Sequence, residues 1–506
     1  MPAQVMAVSG GAAQDLPAKL TGQVITCTII AAFGGLMFGY DIGISGGVTS
    51  MDAFLKKFFP GVFVKKHHAK EDNYCKFDDQ YLQLFTSSLY LAAMVSSFWA
   101  SKCCTKFGRR VTIQLASLFF LTGVVLNACA MNIAMLIIGR LFLGFGIGFG
   151  NQAVPLFISE IAPIKYRGGL NVCFQMLVTV GILIANVVNF FTATHPWGWR
   201  ISLGGAAIPA LFLALGSLII VETPTSLIER GQTDKGFATL QKIRGVRDVQ
   251  KEYDEIAYAT ELSKQIKHPF KNLMKRSSRP MVVCSMILQV FQQFTGINVI
   301  MFYAPVLFQT MGFGSDASLL SAVVTGSVNS LATLVAVFGV DKLGRRFLLI
   351  EAAIQMLIAQ VATGIILLMH LKSTNELSKT YAYVVLFFIC FFVSGFAWSW
   401  GPLGWLIPSE IFPLEIRSAG FFCAVSMNMI FTFIIAQAFL TMLCHMRAGT
   451  FFFFSVWIVI MGIYAYSFLP ETKGISIDEM NEKAWKKHWF WKRYFNRESD
   501  QIPDKA

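Results

Sequence analysis

Charged residues are scarce in this chain, at 14% of its 506 residues, whereas ordinary globular domains contain about 25%. Because 55% of the residues are hydrophobic, a soluble fold would leave much apolar surface exposed. Cysteine is also scarce, at 10 residues, and no Gly-X-Y period occurs, which excludes a disulfide scaffold and a collagen-like chain. The composition indicates a membrane protein, and about twelve spans of roughly 20 residues fit its length.

Acidic residues are outnumbered by Lys and Arg, which gives a formal net charge of +13. In a membrane protein this excess is expected on cytoplasmic loops, so it does not indicate nucleic-acid binding. The cations concentrate in short loops that lie inside if the N-terminus is cytosolic, which predicts that both termini are cytosolic. The long segment 45–80 is an exception, because it would place several Lys residues outside, mixed with Asp and Glu.

Apolar runs separated by polar segments form two sets of six. They predict an N-terminal six-helix half over 1–221 with an external cap at about 45–80, a cytosolic helical linker over 222–279, a C-terminal six-helix half over 280–468 and a cytosolic tail over 469–506. The spans are predicted near 21–44, 81–101, 111–131, 133–157, 168–191, 201–221, 280–307, 317–339, 347–369, 381–408, 418–441 and 449–468.

Three short motifs occur once in each half, in the same order and at nearly one spacing. The pairs are Lys106-Phe-Gly-Arg-Arg110 with Lys342-Leu-Gly-Arg-Arg346, Ser159-Glu-Ile-Ala-Pro163 with Ser409-Glu-Ile-Phe-Pro413, and Glu222-Thr223 with Glu471-Thr472. The repetition predicts that the two halves are one fold duplicated. Two parallel six-span halves describe the major facilitator architecture, in which the substrate lies between the halves near the middle of the membrane.

Longer motifs carry a family resemblance. The most specific are Gln292-Gln-Phe-Thr-Gly-Ile-Asn298 with Tyr303, and Gly401-Pro-Leu-Gly-Trp405 followed by Pro408-Ser-Glu410. The chain resembles the sugar porter family of the major facilitator superfamily, and within it the plant sugar transport proteins, which are monosaccharide–proton symporters. The resemblance covers nearly the whole chain.

Two positions depart from the family pattern. Val221 stands where the family's motif usually begins with Pro, and Phe157 stands where many members have Tyr. Both lie toward the cytosolic side of the predicted spans. The departures therefore bear on whether the family's gating details carry over to this chain, more than on the class of substrate.

Asp41 and Arg140 are the ionisable residues placed well inside predicted spans. An ion at the bilayer centre costs about 2.5–3.5 kcal/mol or more, so both are candidate functional residues. Their depths place them in the outer half of the same six-helix bundle, where they are expected to pair. If the sugar-loaded state separates them, the desolvated carboxylate can bind a proton, and the resemblance implies this role for Asp41. A permanent buried salt bridge is the alternative.

The resemblance and the side-chain chemistry together suggest a sugar site. Amide side chains donate and accept hydrogen bonds, as sugar hydroxyls do, and an aromatic ring packs on the C–H face of a sugar. Any single amide could instead join helices, at about 0.6 kcal/mol. The candidate sugar-binding residues are Gln175, Ile182, Gln292, Gln293, Asn298, Asn329, Gly401, Trp405, Phe38 and Ile42.

Two repeated charge sets at the cytosolic span ends resemble the family's cytosolic latch, which opens when the transporter faces inward. The alternative, solvated cations that set topology, does not explain why a Glu repeats in each half. The first set is Arg109, Arg110, Glu160 and Arg167, and the second is Arg345, Arg346, Glu410 and Arg417.

Two cysteines, Cys75 and Cys444, lie in predicted external segments, and Cys129 lies near the outer end of the third span. The resemblance to the plant symporters implies a disulfide between Cys75 and Cys444, and two unpaired thiols are the alternative. Such a disulfide would attach the cap to the eleventh span. The seven His residues fall outside the span centres, so neither a histidine proton relay nor a metal site is expected.

The sequence therefore predicts a proton-coupled monosaccharide importer of the plasma membrane that uses alternating access. We expect glucose or a related hexose as substrate, the proton as coupling ion, no cofactor, and no obligatory protein partner. A facilitative sugar uniporter is the alternative with the same fold. A sugar sensor without transport would be expected to carry a long signalling tail, and a membrane enzyme is disfavoured because no nucleophile–base pair or metal-ligand spacing occurs in the spans.

Overall fold

The computed structural model describes residues 20–68, 75, 77–264, 269–310, 313–371, 377–475 and 480–495. No strand occurs among these residues. The helices are α1 (Gly22–Ser50), α2 (Asp52–Phe58), α3 (Pro60–His68), α4 (Gln80–Lys106), α5 (Arg109–Ala128), α6 (Ile133–Ile161), α7 (Arg167–Thr192), α8 (Gly198–Gly205), α9 (Ala207–Gly216), α10 (Pro224–Glu229), α11 (Thr233–Arg244), α12 (Gln250–Lys264), α13 (Pro269–Asn272), α14 (Arg279–Phe294), α15 (Ile297–Thr310), α16 (Ser315–Leu343), α17 (Arg345–His370), α18 (Lys379–Trp398), α19 (Trp400–Ile411), α20 (Arg417–Met446) and α21 (Gly449–Ser467). Shorter helical turns cover Ile164–Tyr166, Leu414–Ile416, Asn481–Trp485 and Trp491–Tyr494.

Twelve helical segments are long and apolar enough to cross a membrane, which confirms the predicted all-helical fold with twelve spans. Six spans precede the polar helices α10 to α13, and six follow them. The sixth, seventh and tenth spans each consist of two helices with a break between them, namely α8 with α9, α14 with α15, and α18 with α19. We call the end of the bundle beside α10 to α13 the linker end, and the end beside α2 and α3 the cap end.

The break in the seventh span occurs at Gly296. Its φ of +84° lies in the left-handed region that favours glycine, and a Cβ there would lie 3.0 Å from the ring of Phe454. In the tenth span, Ser399 separates α18 from α19, and its hydroxyl donates to the carbonyl of Gly395 at 2.7 Å. Both breaks expose backbone groups inside the bundle, where side chains can bind them.

The first span is longer than the hydrophobic run that predicted it near 21–44. α1 continues to Ser50 because the hydroxyl groups of its last turns donate hydrogen bonds to backbone carbonyls of the same helix. Ser45 donates to the carbonyl of Asp41 at 2.9 Å, and Ser50 donates to the carbonyl of Gly47 at 2.7 Å. The polar composition after residue 44 therefore does not end the helix.

The segment predicted as a cap, 45–80, contains the end of α1 and the short helices α2 and α3. Residues 69–74 and 76 of this segment lie outside the described residues. Phe54 of α2 is fully buried, with its ring 5.2 Å from that of Phe85 and 6.0 Å from that of Trp199. These aromatic contacts hold α2 against the N-terminal half.

The helices α10 to α12 pack at the linker end of the N-terminal half. Thr21 donates to the carbonyl of Ile243 at 2.7 Å, and Arg244 donates to the carbonyl of Ile161 at 2.8 Å. Leu240 is buried between these helices and the start of α1. α12 also contacts the turn Leu414–Ile416 of the C-terminal half, so the helices between the two halves touch both of them.

A disulfide joins Cys75 to Cys444, as the family resemblance implied. Cys75 precedes α4 in the N-terminal half, and Cys444 lies near the end of α20 in the C-terminal half. The two residues are 369 positions apart in the sequence. The bond therefore connects the two halves at the cap end.

We expect the double substitution Cys75→Ser and Cys444→Ser to lower the melting temperature of the purified protein. A disulfide that closes a long loop typically contributes about 2–4 kcal/mol, because it restricts the unfolded chain. The measurement is thermal unfolding in neutral detergent, with Cys129→Ser, an exposed free cysteine, as the control. Equal melting temperatures for the double variant and the control would contradict the prediction.

Candidate functional site

Asp41 of α1 and Arg140 of α6 form an ion pair inside the N-terminal half. Arg140 Nη1 lies 2.6 Å from Asp41 Oδ1, and both side chains are at most 1% exposed. Arg140 Nη2 also donates to the hydroxyl of Ser45 at 3.3 Å. The second carboxylate oxygen, Asp41 Oδ2, has no hydrogen-bond partner among the described residues. The pair is therefore bound at one oxygen only.

Two aromatic residues of α4, not among the sequence candidates, surround this pair. The ring of Phe85 lies 4.0 Å from the guanidinium carbon of Arg140, in cation–π geometry. Tyr90 is fully buried and stacks on Phe302 of α15, with ring centroids 5.3 Å apart. The stacking continues the packing around the pair into the C-terminal half. With 47 Phe and 13 Tyr in the chain, no spacing could single out these two rings.

Gln292 lies at the centre of an amide network in the C-terminal half. Its Nε2 donates to the carbonyls of Trp400 and Gly401, each at 2.9 Å, at the break in the tenth span. Asn428 of α20 donates to the Oε1 atoms of Gln292 and Gln289, each at 2.6 Å. Asn428 and Gln289 were not predicted as site residues. Gln289 lies three positions before Gln292 on the same helix face, a spacing that could have indicated it.

Gln293 and Asn298 meet across the break at Gly296, where the amide of Asn298 donates to Gln293 Oε1. Gln293 is 3% exposed, and Asn298 is half-buried. Asn329 of α16 is buried too, and its Nδ2 contacts the sulfur of Met301 at 3.7 Å. Its Oδ1 has no hydrogen-bond partner within the described part of the chain. Amides of the seventh span (Gln293 and Asn298) and of the eighth span (Asn329) thus lie on or beside α15.

The two halves approach each other at Gly401. A Cβ on Gly401 would lie 3.4 Å from Gln175 Nε2 of α7, so this amide from the N-terminal half faces the break in the tenth span. The ring of Trp405 lies 6.0 Å from that of Phe174 in an edge-to-face arrangement. Trp405 and Gln175 therefore both lie where the two halves are in contact.

The three apolar candidates are buried on α1 and α7. Phe38 is 7% exposed and Ile42 is 4% exposed, and both lie within one turn of Asp41 on α1. Ile182 is 3% exposed and lies where α7 approaches α1, because its carbonyl would be 2.8 Å from a Cβ on Gly43. The helix that carries the buried carboxylate thus also carries two apolar candidates.

At the linker end, each half contains an Arg–Glu pair formed by residues of its repeated motifs. Arg109 donates to Glu160 Oε1 at 2.8 and 3.1 Å, and Arg345 donates to Glu410 Oε1 at 2.9 Å. The other oxygen of Glu160 accepts from the hydroxyl of Thr223 at 2.6 Å. Thr472 contacts Glu410 in the same way, at 3.1 Å. The structure thus repeats the arrangement along with the motifs.

Glu222 and Glu471, which were predicted only as part of a repeated motif, bind the first turns of α5 and α17. Glu222 accepts from the backbone N–H groups of Arg109 and Arg110 at 3.0 and 3.2 Å. Glu471 accepts from those of Arg345 and Arg346, each at 3.0 Å. A carboxylate at a helix N-terminus is favoured by the unpaired N–H groups there. Burial nevertheless raises the pKa of Glu222, against the opposing effect of Arg109.

Arg110 and Arg346 do not join these ion pairs, although the sequence grouped them with Glu160 and Glu410. Arg110 donates to the carbonyls of Ser217 and Leu218 at 2.9 and 2.6 Å, and Arg346 donates to the carbonyl of Tyr466. The guanidinium groups thus bind carbonyls left unpaired at the ends of the sixth and twelfth spans.

Several contacts join the two halves at the linker end. The backbone N–H of Gly169 donates to Asp341 Oδ2 at 2.8 Å, and Arg417 Nη1 lies 4.0 Å from Glu160 Oε1. Asp341 also pairs with Arg345 at 3.1 Å, so it belongs to the same charge cluster although it was not predicted. For Arg167, the described residues provide no hydrogen-bond partner to Nε.

Contacts between the halves also occur at the cap end. The hydroxyl of Ser87 donates to Gln437 Oε1 at 2.6 Å, and the hydroxyl of Thr441 donates to Asp78 Oδ1 at 2.8 Å. Asp78 and Ser87 follow Cys75 closely in the sequence, and Gln437 and Thr441 shortly precede Cys444. The halves are therefore in contact at both ends of the bundle.

Comparison with known proteins identifies the family. The sequence model of the family described as "Sugar (and other) transporter" matches residues 27–484. The chain belongs to this sugar transporter family. It is 64% identical over 494 residues to Sugar transport protein 6 of Arabidopsis thaliana, covering 97% of each chain. This is a family of membrane transporters and not of enzymes.

Two solved structures of the transporter XylE are similar to this sugar transporter, each at 25% identity. The structure described as the proton:xylose symporter bound to 6-bromo-6-deoxy-D-glucose aligns with a TM-score of 0.80 over 92% of this chain and 99% of that one. The inward-open structure from E. coli aligns with a TM-score of 0.69 over 91% and 99%. The major facilitator fold is therefore confirmed, and the chain is more similar to the sugar-bound structure than to the inward-open one.

The two departures from the family pattern differ in their surroundings. Phe157 is fully buried in α6, two residues after Pro155 and three before Glu160. Val221 is half-buried and directly precedes Glu222. Both therefore lie next to residues of the linker-end charge cluster, where they can affect its position.

We expect Glu160→Gln to weaken the contact between the halves at the linker end. The substitution removes the charge that faces Arg109 and Arg417, and breaking a buried ion pair typically costs about 3–5 kcal/mol. The measurement introduces Ser418→Cys at the Ser101–Ser418 contact and follows its reaction with a membrane-impermeant maleimide. Labelling should be several-fold faster in the Glu160→Gln background.

The matched control for this labelling is Asp234→Asn, because Asp234 is an exposed carboxylate of the nearby helix α11. Protein without Ser418→Cys gives the background from the native cysteines. If Glu160→Gln and Asp234→Asn give the same labelling rate, Glu160 does not contribute to closing the linker end.

Proposed function

We propose that this sugar transporter imports glucose or a related hexose together with protons, and that it works by alternating access in the plasma membrane. The observation that carries the proposal is the fully buried Asp41–Arg140 pair, bound through a single carboxylate oxygen. A buried ion in a membrane span is costly and marks a functional site by default. The proposal requires no cofactor besides the proton.

The geometry of the pair supports reversible proton binding. In the closed pair, Arg140 compensates the charge of Asp41 at 2.6 Å. If α1 shifts relative to α6, the carboxylate is left in an apolar site without its counter-charge, and a proton then neutralises it. Asp41 Oδ2 offers a place for that proton, because no hydrogen bond within the described residues has to be broken there.

The sugar site is proposed at the breaks of the seventh and tenth spans. There Gln292 binds backbone carbonyls of α19, the helix that carries Trp405, and Asn298 binds Gln293 across the break of the seventh span. These amides can exchange their present contacts for sugar hydroxyls. Phe38 and Ile42 would form the apolar wall. Because these two residues flank Asp41 on α1, a sugar that contacts them acts on the helix that holds the proton site.

The names of two similar proteins support this proposal. One is a sugar transport protein, and the other is described as a proton:xylose symporter bound to a glucose derivative. The orientation proposed here has both termini in the cytosol. The Lys and Arg residues of the short loops at the linker end support it.

The test is uptake of radiolabelled glucose into yeast that lacks its own hexose carriers, at acidic external pH, with and without a protonophore. Accumulation above the external concentration that collapses with the protonophore supports symport. Uptake that only equilibrates and ignores the protonophore would instead indicate a uniporter. No uptake of any monosaccharide by correctly localised protein would indicate a sugar sensor.

A further inference from the structure

The segment after the last span is folded against the membrane end of that span. The indole N–H of Trp489 donates to the carbonyl of Ser467, and that of Trp491 donates to the carbonyl of Phe468, each at 2.7 Å. These carbonyls lie at the end of α21, where backbone carbonyls have no N–H donor within the helix. The two bonds therefore fix the tail at the level where the twelfth span leaves the membrane.

A second segment at the same end joins this tail. Arg276, which lies just before the seventh span, donates to the carbonyl of Arg493 at 3.0 Å, and its guanidinium carbon lies 5.9 Å from the ring of Tyr494. Leu273 of the same segment is buried in the core of the bundle. Residues 269–279 and 480–495 thus form one surface, which we call the basic collar.

The basic collar carries a strong excess of positive charge. Glu482 is the one acidic residue in the two segments, and it pairs with Lys486. By contrast, α11 and α12 contain five cations and five carboxylates. Nine cations of the collar are exposed, namely Lys271, Lys275, Arg276, Arg279, Lys483, Lys486, Lys487, Lys492 and Arg493.

Large apolar side chains are exposed between these cations. Trp489 is 62% exposed and Met274 is 70% exposed. Tyr466, in the last turn of α21, is 65% exposed and faces away from the bundle. Trp and Tyr prefer the boundary between hydrocarbon and headgroups, so the exposed face of the collar is placed to touch lipid.

We propose that the basic collar binds the phosphodiester headgroups of anionic phospholipids in the adjacent leaflet. Its cations match the charge of those headgroups, while Trp489 and Met274 enter the acyl boundary beside them. An acidic protein partner would leave these apolar side chains without such a contact. Since the tail is bonded to the last turn of α21, a bound lipid would hold the C-terminal half at the membrane surface.

The experiment uses the purified full-length chain in neutral detergent. Phosphatidylserine and phosphatidylcholine with identical acyl chains are added in separate titrations, and the lipids retained by the protein are counted by native mass spectrometry. We expect tighter retention of phosphatidylserine, with an affinity that falls as salt is raised. Equal retention of the two lipids, or no effect of salt, would overturn the proposal.

The matched variants replace three exposed cations each. Lys275→Gln, Lys487→Gln and Lys492→Gln together remove charge from the collar, whereas Lys235→Gln, Lys242→Gln and Arg247→Gln remove it from or beside α11. Each cation near an anionic surface contributes about a factor of five in affinity, so the first triple variant should lose roughly a hundredfold. An equal loss in the second would overturn the site assignment.

Two further arms complete the test. Soluble glycerol 3-phosphate should not displace phosphatidylserine, and displacement would identify a free phosphate compound as the ligand instead. If the collar variant does not fold, the salt titration of the unmodified protein decides the result. Lipid retention does not require sugar movement, so a failure here is distinguishable from a failure of the proposed proton coupling.

Discussion

Replacing Asp41 by Asn should abolish the accumulation of sugar against a gradient while leaving the protein folded enough to reach the membrane. Asn has nearly the shape of Asp, and its carbonyl oxygen can still accept from Arg140 Nη1, which lies 2.6 Å from Asp41 Oδ1. Asn cannot take up or release the proton. The pH gradient then has no group through which it can drive sugar uptake.

The measurement is the ratio of internal to external radiolabelled glucose at acidic external pH. We expect the ratio to fall to about one in Asp41→Asn, because exchange without a coupling ion only equilibrates the sugar. Accumulation that persists in this variant and is still sensitive to a protonophore would rule out Asp41 as the proton site.

Two controls separate loss of the proton site from loss of the fold. Leaving Arg140 buried without its counter-charge is destabilising, typically by about 3–5 kcal/mol, so the amount and the melting temperature of the variant are measured too. Asp41→Glu restores an ionisable group and should recover part of the proton-dependent uptake. Asp316→Asn, an exposed carboxylate in the first turn of α16, should leave uptake unchanged.

The fold and part of the candidate site follow from simple features of the sequence. Hydrophobic length predicts the twelve spans, and the repeated motifs predict two similar halves. Asp41 and Arg140 could be selected because ions in spans are rare, and the structure places them 2.6 Å apart. The disulfide between Cys75 and Cys444 came from the family resemblance.

Other features depend on helix rotation and on breaks that composition does not encode. Asn428 of α20 donates to both Gln289 and Gln292 of α14 only because the two helices turn these faces toward each other. Arg109 and Arg110 are adjacent in the sequence. One binds Glu160 and the other binds carbonyls at the end of the sixth span, since neighbours on a helix point about 100° apart.

A Cβ added at Gly39 should disrupt the N-terminal half, because α1 and α7 are in backbone contact there. The added atom would lie 1.8 Å from the carbonyl oxygen of Val178. A Cβ added at Gly35 or Gly43, one turn away on either side, would likewise lie 2.3 Å from the carbonyl oxygen of Phe174 or 2.8 Å from that of Ile182. Small residues four positions apart allow such close helix packing in membranes.

We therefore expect Gly39→Ala to lower the melting temperature strongly and to abolish uptake. A side-chain clash can be relieved by another rotamer, but a backbone carbonyl at 1.8 Å requires the two helices to separate. Overpacking alone commonly costs about 1–3 kcal/mol. Separation would also displace Asp41, two residues further along α1, from its 2.6 Å contact with Arg140.

Gly150→Ala is the matched control, because Gly150 is also buried in a span, while a Cβ there would meet no atom closer than 3.8 Å. Thermal unfolding and glucose uptake are measured for both variants. If Gly39→Ala melts at the same temperature as Gly150→Ala, the helices can separate at little cost, and α1 is not fixed by its packing on α7. If Gly39→Ala loses stability but keeps proton-driven accumulation, the position of Asp41 does not depend on that packing.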